Sequence, residues 1–194
     1  MTAPALPVAR PAHPHHVLLD AVGHAVGEVV RAVLDDDREV ARRVLRDGAR
    51  RHTLSAAAEQ EVRRAVVGSA RRTQAAQELL VVSDVARASR LVDELARLVL
   101  VGRGEGHWTA SRQEALMLLA RFGEERLHQL ADGVHGPGLD REFTRCGRCL
   151  LDAADRLGSA TAVDRGSYQP TLTCCAALAT SVLQASRHAL RAAA

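Results

Sequence analysis

Val81-Val82-Ser83-Asp84-Val85-Ala86-Arg87-Ala88-Ser89-Arg90-Leu91-Val92 and Leu178-Ala179-Thr180-Ser181-Val182-Leu183-Gln184-Ala185-Ser186-Arg187-His188-Ala189 are one segment met twice, 97 positions apart. The triplet Ala-Ser-Arg sits in the same register in both. Val81, Val85, Ala88 and Val92 are spaced four, three, four, and so are Leu178, Val182, Ala185 and Ala189. That spacing lines one face of an α-helix. A segment repeated at half the length of a 194-residue chain predicts an all-α fold: a tandem of two antiparallel three-helix bundles.

Working outward, the first helix is expected over residues 17–34, with Leu18, Val22, Ala25, Val29 and Val33 on its apolar face. Asp35-Asp36-Asp37 stops it and caps the next, since carboxylates favour a helix N-terminus. The second begins near Arg38, carries Val40, Val44, Leu54, Ala58 and Val62, and is open to a break near Gly48. The third runs from residues 71–73 to 100. Gly102, Gly104 and Gly106 mark a linker over 102–110. The second half then predicts helices over 111–132, 139–157 and 171–194, with Leu116, Leu119, Phe122, Leu127 and Leu130 on the first and Phe143, Cys146, Leu150, Ala153 and Leu157 on the second. Six helices result, grouped as residues 17–101 and 111–194. Residues 1–16 hold four of the six prolines and read as a disordered tail.

Composition sets further bounds. Hydrophobic residues make up 47% of the chain but aromatics only 2%, so the core must be built from Leu, Val and Ala. Lys, Ile and Asn are absent, a bias typical of GC-rich coding, and Arg alone supplies the basic charge. The net charge is +3. Arg42, Arg43, Arg46, Arg50, Arg51, Arg63, Arg64, Arg71 and Arg72 alternate with Asp and Glu, which reads as a solvated face rather than a nucleic-acid surface. No apolar run reaches the ~18 residues of a membrane span. The N-terminus lacks the pattern of a secretory signal, so a cytoplasmic chain with reduced cysteines is expected.

Helix three and the acidic turn before Glu39-Val40-Ala41 resemble the PhoU family of phosphate-uptake regulators. PhoU proteins carry A-x-D-L-E-R-I-G-D-x-A where residues 82–92 stand here. Asp84 and Arg87 match, Val85 and Ala88 are apolar replacements, and Ser89 replaces a Gly. The resemblance covers about residues 17–192. It implies a non-enzymatic regulator that contacts the phosphate ABC transporter and its sensor histidine kinase, often as a homodimer. It also implies a metal cluster on paired carboxylates, but those positions hold Ala86 and Arg90 in the first copy and Leu183 and Arg187 in the second. An Arg cannot ligate a cation and opposes one electrostatically, so no metal or cofactor is expected.

Four further motifs carry possible chemistry. Cys146-x-x-Cys149 with Cys174-Cys175 has the atoms of a zinc site, but adjacent cysteines on a helix diverge by ~100°, and buried Cys packs as a small hydrophobe. Glu125-x-x-His128 is half of a di-iron motif with no second copy. His13, His15 and His16 are expected in a solvated tail. Arg90 and Arg187, with Asp84 and Arg87, are candidates to hold an anion or a partner's carboxylates through forked hydrogen bonds; a local pair of Arg90 with Glu94 is the competing reading. Two alternatives to the phosphate regulator remain: a metal-binding helical-bundle protein or enzyme, and a helical adaptor or transcription regulator unrelated to phosphate.

Overall fold

A computed structural model describes residues 14–68, 72–102, 108–133, 139–158 and 169–193, and within them every element is an α-helix. In chain order these are α1 (Pro14–Asp35), α2 (Arg38–Arg46), α3 (Gly48–Gly68), α4 (Arg72–Leu100), α5 (Ala110–Ala131), α6 (Leu139–Gly158) and α7 (Gln169–Ala193). Residues 1–13 of the expected tail, residues 103–107 of the linker, and the side chains of Phe143, Cys146 and Leu157 lie outside the description.

The acidic turn works as its composition requires. Asp36 turns the chain at φ +50°, a left-handed conformation that Asp tolerates better than most residues. Asp37 then caps α2, its Oδ1 accepting from the amides of Glu39 and Val40 at 3.0 Å each. Gly102 (φ +74°) and Gly133 (φ +64°) close α4 and α5 in the left-handed conformation that glycine adopts without cost.

One open boundary is decided and one differs from expectation. The second arm is broken at Asp47 into α2 and α3, although Asp47 N–H still bonds Arg43 O and Arg51 N–H still bonds Asp47 O. Gly48 sits at the break against α4, where a Cβ would stand 3.0 Å from Asp93 Oδ1. α1 begins at Pro14, so His15 and His16 are half-buried on its first turn rather than in a solvated tail. A proline is well placed there, because the first-turn amide has no intrahelical partner to lose.

All eight seam residues of the repeated segment are buried, with Val85, Ala88, Val92, Leu178, Val182 and Ala185 at 1% exposure or less. They belong to a continuous aliphatic cluster drawn from both halves of the chain. Each fully buried Val or Leu contributes about 1.5–3 kcal/mol to folding. The most extensive helix contacts are α4 with α7 and α1 with α5. Both pairs run antiparallel. Across α4/α7, Asp84 meets His188 and Leu91 meets Cys174. Across α1/α5, Asp20 meets His128 and Arg31 meets Glu124.

Candidate functional site

The outer face of the α4/α7 pair carries the residues singled out from sequence. Helical spacing puts Ser83, Arg87, Arg90, Glu94 and Arg97 on the solvent side of α4, opposite the buried seam. On α7 the corresponding exposed positions are Thr180, Arg187 and Arg191. Asp84 and His188 are half-buried between the helices, with Asp84 Oδ2 accepting a 2.8 Å hydrogen bond from His188 Nδ1. Among the described residues, no carboxylate lies within ion-pair distance of Arg87, Arg90 or Arg187. The local Arg90–Glu94 pair is therefore not formed.

The positions where PhoU proteins hold metal do not fit a cation here. Ala86 and Leu183 are buried at 6% and 3% exposure and belong to the packing, while Arg90 and Arg187 point to solvent. Among the described residues, no three His, Cys, Asp or Glu side chains converge as a ligand set.

The other motifs are placed as follows. Glu125 accepts from Gln129 Nε2 at 3.4 Å, and His128 Nε2 lies 3.3 Å from Asp20 Oδ1 on α1, so neither forms an inward pair. Their neighbours make a polar seam between α1 and α5: Glu124 lies 3.4 Å from Arg31 and 3.6 Å from His24. Glu28 accepts from Arg43 Nη2 at 2.7 Å, which raises the Arg43 guanidinium above its ordinary range. Cys149 is half-buried, and Cys174 and Cys175 are buried free thiols. Burial pushes the Cys174 thiol up to about 12 and the Cys175 thiol higher still, the neighbouring Glu94 and Cys174 respectively adding to the effect. Cys174 donates to Leu91 O at 3.4 Å across the α4/α7 contact. These two cysteines are packing residues that stay protonated.

Arg51 corrects the reading of the Arg-rich second arm. Arg42, Arg43, Arg46, Arg50, Arg63, Arg64 and Arg72 are exposed, but Arg51 is 3% exposed. Its Nη2 donates to Asp93 Oδ1 at 2.5 Å and to Val44 O at 2.9 Å. His52 Nε2 lies 2.9 Å from Asp93 Oδ2. Asp93 thus holds α3 to α4 just beneath Gly48. Nothing in the local pattern sets Arg51 apart from its neighbours; its partner stands 42 positions away.

Fold and face together define an all-α protein packed helix on helix, with a cationic strip over its longest helix. No described helix is long and apolar enough to cross a membrane. No protein-family model matches the chain, and no curated protein matches it.

Proposed function

We propose that this chain is a PhoU-like regulator of phosphate uptake and phosphate-starvation signalling, acting in the cytoplasm by protein contact rather than catalysis. Its halves are two three-helix bundles in tandem: α1, α2–α3 and α4, then α5, α6 and α7. The observation that carries the reading is the pairing of equivalent helices. First packs on first (α1/α5) and third on third (α4/α7), both antiparallel. Two copies related by an approximate two-fold axis would pair in this way.

The working surface is the α4/α7 face. Unpaired guanidiniums at Arg87, Arg90 and Arg187 suit carboxylates of a partner, which they can grip bidentately. Such charges set specificity and association rate more than raw affinity. The partners are the phosphate ABC transporter and its sensor histidine kinase, and the chain restrains both when phosphate is ample, as a homodimer. Capture of tagged full-length chain from phosphate-rich and phosphate-starved cells tests this. A transporter ATPase or sensor kinase enriched under one condition is the expected result. Neither being captured under either condition would overturn the reading.

A further inference from the structure

Where α1 begins and α5 and α7 end, the helices leave a cavity of about 210 Å³. It is larger than the ~150 Å³ apolar cavity that suffices to hold benzene. Leu18, Val62, Val82, Val85 and Leu130 form its apolar walls. Ala189, Ala192 and Ala193 of α7 line another side. The repeat register explains the space. Val92 and Leu95 of α4, both fully buried, correspond to Ala189 and Ala192, so large side chains fill in one half what small ones leave open in the other.

The polar groups of the cavity are His15, His16, Gln74 and Glu78. Glu78 is its sole lining carboxylate among the described residues, and no described cation pairs with it. Among the described residues no Arg lines the space, although Arg supplies all the basic side chains other than His. His15 already has Glu61 at 4.0 Å, a second carboxylate close to this end. An apolar chamber with an unpaired carboxylate selects a molecule with an apolar body and a cationic head, because a charge-assisted hydrogen bond to a carboxylate is roughly twice as strong as a neutral one.

We propose that this cavity is a binding site for a small amphipathic amine, its body against the Ala189–Ala192 wall and its ammonium on Glu78. The site is independent of the α4/α7 docking face. Three probes of one shape test it by titration calorimetry on the full chain: phenethylamine, 2-phenylethanol and phenylacetate. The amine binds at least about tenfold more tightly than the alcohol, the difference one charged contact supplies, and the carboxylate binds weakest. Glu78→Gln brings amine and alcohol to within about threefold. Ala192→Leu fills the chamber and abolishes binding of all three while circular dichroism shows helicity kept; Ala189→Val serves the same purpose if Ala192→Leu does not fold. Failure of every probe to bind, equal binding of amine and alcohol to the unmodified chain, or undiminished binding in the filled variants would overturn the proposal.

Discussion

Arg51 carries its charge in a buried position, where Asp93 and the Val44 carbonyl receive its Nη2. Removing one member of a buried pair strands the other charge, which costs about 3–5 kcal/mol. Arg51→Ala and Asp93→Ala are each expected to lower stability by that amount in urea melts. The double variant Arg51→Met/Asp93→Leu should lose much less, since both charges leave together. Equal losses in all three would show that the pair does not couple α3 to α4. The buried thiols make a prediction of opposite character. Their folded-state values lie above the ordinary thiol value of about 9, with Cys174 at about 12. The unfolded chain therefore deprotonates first, and the stability that the neutral thiols contribute is full below pH 9 and lost as pH rises toward about 12. Replacing Cys174 and Cys175 by Ala should flatten the fall of melting temperature across that window; an unchanged slope would contradict the burial argument.

At the scale of elements, glycine governs how closely α1 and α5 approach. A Cβ on Gly23 would stand 3.1 Å from Leu127 Cβ and 3.2 Å from the Glu124 carbonyl, neither of which can move without the helix. Gly23→Val should cost about 1–3 kcal/mol by overpacking. A Cβ on Gly27 meets the carboxylate end of Glu124 and the guanidinium of Arg31, both ends of flexible side chains that can swing away. Gly27→Ala trades an exposed ion pair worth ~0–1 kcal/mol for about 1 kcal/mol of helix propensity, so it should stay within about 1 kcal/mol of the parent in thermal melts. The positions of the elements were readable because each rests on local chemistry: the Asp35–Asp37 turn, the glycine closures, the four-three-four seam. The break at Asp47 was only half readable, since Gly48 marks it but the reason for a glycine there is Asp93 on another helix. The candidate site divides along the same line. Arg87, Arg90 and Arg187 emerge from the helical period as exposed, whereas the Asp84–His188 bond spans 104 positions and the Arg51–Asp93 pair 42, distances over which sequence periodicity carries no information.

For the whole molecule, one continuous core joins both halves of the chain, and the two antiparallel seams pair α1 with α5 and α4 with α7. A perturbation in either half should consequently unfold both, giving a single cooperative transition whose denaturant slope scales with the full chain's buried surface. Two separated transitions would mean that the halves are independent. The same arrangement leaves the α4/α7 face in solvent with its guanidiniums uncompensated, and the proposed function depends on that face. Its most direct test is quantitative partner capture from phosphate-rich cells with the parent chain and with Arg90→Ala/Arg187→Ala, matched for helicity. The account predicts that the double variant folds normally and loses most of the transporter or kinase that the parent retains. Undiminished capture by the double variant would contradict it.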